Sequence, residues 1–103
     1  MAYKLVVSKE ALKDIDDIVY YIAVELANPT AATSFLDDVE KSYIDVVNNP
    51  RMYSLCQDAR LSREGYRKIV IKNYLVLYRI DNEAKKVFIV RIIYGGRNYP
   101  EFI

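Results

Sequence analysis

The residues from Tyr66 to Tyr99 read YRKIVIKNYLVLYRIDNEAKKVFIVRIIYGGRNY. Val, Ile, Leu and Tyr dominate three runs in this stretch, and such residues suit a pleated, half-buried surface. Lys72-Asn73 divides the first run from the second, and Asp81-Asn82-Glu83-Ala84 divides the second from the third. Both breaks are short enough to join antiparallel neighbours, so a three-stranded meander is predicted. In the middle run Tyr74, Val76, Tyr78 and Ile80 alternate with Leu75, Leu77 and Arg79. Both faces are largely apolar, which predicts a central strand. In the last run Val87, Ile89, Arg91 and Ile93 share a face opposite Phe88, Val90, Ile92 and Tyr94. Only Arg91 interrupts the hydrophobicity, and a charge there needs a partner.

Upstream, Tyr3-Lys4-Leu5-Val6-Val7 reads as a short strand, and Ser8 follows with a side-chain oxygen suited to capping a helix whose first turn holds Glu10. Leu12, Ile15, Val19, Ile22 and Leu26 are spaced by 3, 4, 3 and 4, which predicts one continuous buried stripe. Asp14, Asp16, Asp17, Asp37 and Asp38 then fall on solvated faces. Asn28-Pro29 ends this helix and starts a second, because Asn caps well and Pro at the first helical position loses no hydrogen bond. The second helix is predicted from about Pro29 to Val47, with Ala32, Phe35, Leu36, Val39, Tyr43, Val46 and Val47 turned inward, and Asn48-Asn49-Pro50 stops it. Residues 51–65 show no sustained period and read as loop or short turns. The order strand, helix, helix, strand, strand, strand gives an α+β fold (β-α-α-β-β-β) with a helical hairpin packed on one face of an antiparallel sheet. No repeat or linker divides the chain, so residues 1–103 are expected to form one domain.

The composition narrows the function classes. Histidine is absent, which excludes His-based acid–base catalysis, a Ser-His-Asp triad and a His-ligated zinc. Three glycines, Gly65, Gly95 and Gly96, cannot build a GxGxxG or Walker loop, and Cys56 has no companion for a disulfide or CxxC site. No cofactor, metal or small-molecule substrate is expected. The longest apolar run, Ile18 to Val24, falls well short of the roughly 20 residues of a membrane span, and a cytoplasmic protein without membrane contact is expected. The net charge of +1 conceals a division. Residues 1–50 hold four Lys, no Arg and nine acids, a balance of −5; residues 51–103 hold seven Arg, four Lys and five acids, a balance of +6. The second half therefore offers a surface for an anionic partner.

Within that half, Gly95-Gly96-Arg97-Asn98-Tyr99 leaves the last strand with two glycines that permit a sharp turn and present Arg97 at the end of the sheet. Arg67, Arg79, Arg91 and Arg97 are candidates to converge on a phosphate, with Tyr66, Tyr74 or Tyr99 available for stacking. Each has a plainer reading beside this one. Arg91 is equally suited to an internal ion pair, Arg79 to a solvated position beside a turn, and Tyr74 and Tyr78 to the core.

At these residues the chain resembles the RelE/ParE superfamily of toxins from type II toxin–antitoxin modules. The likeness covers nearly the whole length. It rests on the order of elements, on Asn48-Asn49-Pro50 with Tyr53, and on Gly65-Tyr66-Arg67 opening the second strand. It rests also on Asn73-Tyr74-Leu75-Val76-Leu77-Tyr78-Arg79 and on the run from Val90 to Tyr99. The resemblance implies a growth-inhibiting toxin, linked to plasmid stabilisation and neutralised by a cognate antitoxin that wraps it.

It also implies one of two targets. RelE-like members cleave mRNA on the ribosome, using Arg, Lys and Tyr to stabilise transition-state charge; ParE-like members poison DNA gyrase. In RelE-like toxins an Arg commonly follows the Tyr that begins the third strand, and Leu75 stands there in this chain. A catalytic Tyr or His near the C-terminus has no match at Glu101-Phe102-Ile103, although Tyr99 lies shortly before. The pattern points to gyrase. Under the alternative of an mRNA interferase, the catalytic set is Arg97, Arg67 and Tyr99, with Lys68 and Lys72 nearby. A third reading is a non-toxic module that keeps only antitoxin binding.

Overall fold

A computed structural model describes the chain apart from Met1, Arg97 and the side chain of Phe102. The elements are β1 (Lys4–Val7), α1 (Lys9–Tyr20), a π-helical turn (Tyr21–Glu25), α2 (Pro29–Asn48), α3 (Ala59–Arg63), β2 (Arg67–Ile71), β3 (Tyr74–Asp81), β4 (Lys86–Tyr94) and a closing 3₁₀ turn (Tyr99–Phe102). This is the predicted α+β order. The four strands lie in the order β1-β4-β3-β2, so β3 is central as expected and β4 is central with it. The sheet is mixed where an antiparallel one was expected. β2, β3 and β4 form the meander, but β1 runs parallel to β4, pairing Lys4 with Lys86 through Val7 with Ile89.

Local chemistry sets the helix ends. The Ser8 hydroxyl accepts from the Ala11 N–H at 3.0 Å, and the Asn28 side chain accepts from the Ala31 N–H at 3.1 Å with Pro29 beside it in the first turn. The predicted stripe of α1 is correct only in part. Ile22 is buried, but Leu12 is 53% and Leu26 55% exposed, and Ala11 is fully buried in their stead. The stripe fails at its C-terminal end because the helix widens at Tyr21: the Leu26 N–H donates to the Tyr21 carbonyl five residues back, which shifts the phase of everything that follows. In α2, Ala32, Phe35, Val39 and Val46 are buried as expected, whereas Leu36 is exposed.

The hairpin covers one sheet face, where Phe35, Val39 and Val46 meet Ile69, Ile71, Val76, Tyr78, Val87, Ile89 and Ile92. The other face is covered too. Cys56 and Leu61, from the stretch expected to be loop, pack with Leu75, Leu77 and Ile93, and Tyr66, Tyr99 and Ile103 close over them. Strict alternation along β4 breaks at a bulge. Leu77 pairs with Arg91 but Tyr78 pairs with Ile89, which leaves Val90 as the extra residue. The bulge moves Ile92 into the helix-side core with Val87 and Ile89, while Ile93 joins the opposite one.

Candidate functional site

The register of β2 against β3 separates the candidate residues. Arg67 pairs with Tyr78 and so belongs to the helix-side face; Lys68 pairs with Leu77 and belongs to the other. The Arg67 guanidinium donates from Nη1 to the Tyr53 carbonyl at 2.6 Å, and the Tyr78 hydroxyl donates to the Pro50 carbonyl at 2.7 Å. These two bonds hold the chain that leaves α2 against the end of the sheet. Tyr99 packs on the opposite face against the cluster of Cys56, Leu61, Leu75, Leu77 and Ile93. Arg67 and Tyr99 therefore do not converge. Lys72, at the β2–β3 turn, donates to the Ser34 hydroxyl at 2.9 Å and faces α2. Arg97 lies outside the described residues.

Arg91 does not join a phosphate site with these residues. Its Nε donates to Asp14 Oδ2 at 2.8 Å and its Nη2 to Asp14 Oδ1 at 3.0 Å, a two-pronged pair with side chains 26% and 13% exposed. That is the internal ion pair of the plainer reading, and it corrects the placement of Asp14 on a solvated face. The Asp14 hydrogen bond is the chief reason the Arg91 pKa lies above its ordinary value. Asp14 also accepts from the Ile92 N–H at 2.9 Å, and the Ser8 hydroxyl donates to the Val90 carbonyl at 2.7 Å. Beyond Ile89, where β1 has ended, side chains from α1 and its cap satisfy the open edge of β4. No sequence signal pointed to Asp14, because its partner lies 77 residues away.

Beside Tyr99 the cation is Arg60, whose Nη2 donates to the Pro100 carbonyl at 2.7 Å. Arg79 is exposed and lies over the Tyr66 ring, 5.0 Å from its centroid. Tyr66, Arg79, Phe88 and Val90 line an open groove of about 590 Å³ on this face, bordered by Asp81 and Glu83. Burial pushes the Tyr99 hydroxyl above its usual pKa, with Cys56 and Asp58 adding to the shift. Burial also raises the Cys56 thiol, and the charge of Lys68 opposes this. At neutral pH Tyr99 is thus a hydrogen-bond donor and not a base. This face can hold an anion beside an aromatic surface. Tyr74 and Tyr78 are core residues: Tyr78 is fully buried, and Tyr74 meets Phe35 and Tyr94 edge to face at 5.2 and 5.9 Å.

The sequence profile of the ParE toxin of type II toxin–antitoxin systems (parDE) matches residues 5–99, nearly the whole of this architecture. The chain belongs to the ParE toxin family. Solved structures with the same fold come from both branches of the RelE/ParE superfamily. The chromosomal ParDE system of Pseudomonas aeruginosa superposes with a TM-score of 0.70 at 18% identity, covering 90% of this chain and 96% of that one. A free double mutant of the Escherichia coli toxin RelE gives 0.70 at 17%, covering 99% and 93%. The Mycobacterium tuberculosis RelBE2 toxin–antitoxin complex gives 0.63 at 21%, covering 91% and 99%. At such identities the likeness is one of fold. A search of curated proteins finds no significant match. This ParE-family chain is a toxin-class protein of the RelE/ParE superfamily, and its fold is common to ParE and RelE structures.

Proposed function

We propose that this ParE-family chain is the toxin of a type II toxin–antitoxin module, that it inhibits DNA gyrase, and that a cognate antitoxin neutralises it. The single observation that carries the choice of target is the engagement of Arg67. A guanidinium that donates to the Tyr53 carbonyl on the helix-side face is unavailable to an RNA held near Tyr99 on the other. Two further features support the same reading. Leu75, where RelE-like toxins commonly place an Arg, is buried, and Arg91 is committed to Asp14. Loss of one preorganised charge-stabilising donor typically costs on the order of 100-fold in rate, so a nuclease short of several would be inert. An antitoxin partner is supported by the relatives, which include ParDE and RelBE complexes.

Purified chain added to gyrase should block supercoiling of a relaxed plasmid. In a sensitive host, induction should give filamentation and an SOS response with intact mRNA. Prompt arrest of translation with codon-position-specific mRNA cuts would overturn the reading.

One observation favours a second reading. Lys68, Tyr66, Arg79 and Tyr99 share one face of the sheet, a basic and aromatic surface suited to RNA. Cleavage of ribosome-bound mRNA that stops in Lys68→Ala or Arg79→Ala would promote this interferase alternative. Unimpaired growth under full induction would instead leave a non-toxic antitoxin-binding module.

A further inference from the structure

The sheet face turned away from the helical hairpin is covered over only part of its extent. Leu75, Leu77 and Ile93 lie under Cys56 and Leu61, but towards the β3–β4 turn that cover ends. There Arg79 on β3 pairs with Phe88 on β4, Phe88 pairs with Val6 on β1, and the Tyr66 ring lies 5.0 Å from the Arg79 guanidinium. Directly paired residues share a face, so Tyr66, Arg79, Phe88 and Val6 form one row across the sheet, Arg79 exposed and the others half-buried. The extra residue of the β4 bulge, Val90, lines both the groove of about 590 Å³ beside Arg79 and a second, of about 410 Å³, that runs on to Val6 and Ile103. Both grooves also share Tyr66 and Phe88, so a single depression continues from one to the other.

Aromatic rings and Arg are the side chains that carry most of the binding energy at protein interfaces, because they bury large rigid areas and make several directed bonds. Among the described residues Arg79 has no ion-pair partner. The face of its guanidinium rests on Tyr66, and its N–H edge is open to a ligand. Such a fork receives a carboxylate through two parallel hydrogen bonds. The charges on the rim then choose between a protein and a nucleic acid. A single strand of RNA or DNA is held by successive cations along its backbone. Here Arg79 is the one cation among the described residues lining its groove, with Asp81 and Glu83 on the border. The second groove adds Glu10, and Arg91, which is committed to Asp14. One carboxylate fits beside Arg79, whereas a chain of phosphates would run into these acids.

We infer that this row is the surface by which the toxin grips the protein it inhibits, and that it takes a segment with one Asp or Glu beside a large apolar side chain. The carboxylate meets Arg79, and the apolar group seats between Phe88, Val90 and Ile103. The inference rests on the reading of the chain as a gyrase inhibitor. It adds the place of contact and the chemistry that the segment of gyrase must carry.

The test uses the full chain and purified gyrase, and reads both binding and inhibition of supercoiling. Arg79→Glu should raise the half-inhibitory concentration at least tenfold, and Arg79→Lys, which keeps the charge and loses the fork, should raise it several-fold. Arg79 is exposed, so unchanged melting temperatures are expected for both and establish that they are folded. Phe88→Ala, read beside its own melting temperature, should weaken inhibition as Arg79→Glu does. Ile44→Lys, at an exposed apolar position on α2, should inhibit as wild type does. Inhibition by both Arg79 variants within twofold of wild type would overturn the contact surface while leaving the gyrase reading intact; no inhibition by the wild-type chain would overturn both. An Arg79→Glu variant that inhibits gyrase fully, yet has lost binding to a single-stranded RNA oligonucleotide or to the antitoxin, would overturn the inference and give the surface to that partner.

Discussion

Asp14 and Arg91 are joined by two hydrogen bonds, at 2.8 and 3.0 Å, and the same carboxylate receives the backbone N–H of Ile92. One acid on α1 thus neutralises the single charge in the middle of β4 and replaces the strand partner that β4 lacks at that point. Arg91→Ala and Asp14→Ala should each lower stability by about 1.5–3 kcal/mol, the cost of losing a partly buried charged hydrogen bond. For a domain of this size that is roughly 4–8 °C in melting temperature per kcal/mol. The double variant should lose clearly less than the sum of the two, since both remove one interaction. Additive losses would refute the coupling, and Asp17→Ala, whose ion-pair partner among the described residues is the exposed Lys13, should melt as wild type does.

Arg67 and Tyr99 separate the two targets by how their loss is felt. Arg67→Ala deletes the bond to the Tyr53 carbonyl, so a stability loss of about 1.5–3 kcal/mol is expected from chemical denaturation. Tyr99→Phe keeps the ring in the second core and removes only the hydroxyl. On the gyrase reading, toxicity in Tyr99→Phe should equal wild type in a plating assay. Loss of toxicity in that variant without loss of stability would favour RNA cleavage.

Arg97→Ala is predicted from the sequence, where Gly95-Gly96 leads directly into Arg97 at the exit of the last strand. Plating under induction should show toxicity abolished. A variant as toxic as wild type would remove Arg97 from the functional residues.

Burial pushes Tyr43 and Tyr78 each up to about 12. In the unfolded chain a tyrosine ionises at about 10, so the unfolded state releases these protons first. The stability tied to both groups is fully present below about pH 10 and is lost as the pH climbs towards 12. Spectrophotometric titration of the ten tyrosines should therefore show an early group that ionises reversibly and a late group that ionises only as the fold melts. Tyr78→Phe should remove part of the late group and free the Pro50 carbonyl of its donor. Complete, reversible titration of all tyrosines around 10 in the folded protein would contradict this placement.

What the sequence by itself determined is whatever local chemistry specifies. Ser8 and Asn28-Pro29 mark helix starts because capping needs only three or four residues. The two short breaks at Lys72-Asn73 and Asp81-Ala84 dictate a meander because so few residues can only reverse the chain, and two apolar faces on Tyr74–Ile80 mark the central strand. The absence of histidine removed whole classes of chemistry before any fold was known. Tertiary structure decided everything that depends on which edge meets which. Leu26 matches the helical period yet faces water, because the π-helical turn before it changes the phase, and at the start of α1 it is Ala11 that is buried while Leu12 is exposed. Asp14 is indistinguishable by spacing from Asp16 and Asp17, and only the unpaired edge of β4 singles it out. Arg67 and Lys68 are adjacent cations whose opposite fates follow from the twofold alternation of a strand, one bound to a carbonyl beneath the hairpin and the other near Cys56 on the opposite face. Caps, turns and periods are contests within a few residues, and the chain carries their outcome wherever it goes. Edges, bulges and faces are contests between segments far apart in the chain, and only their packing settles them.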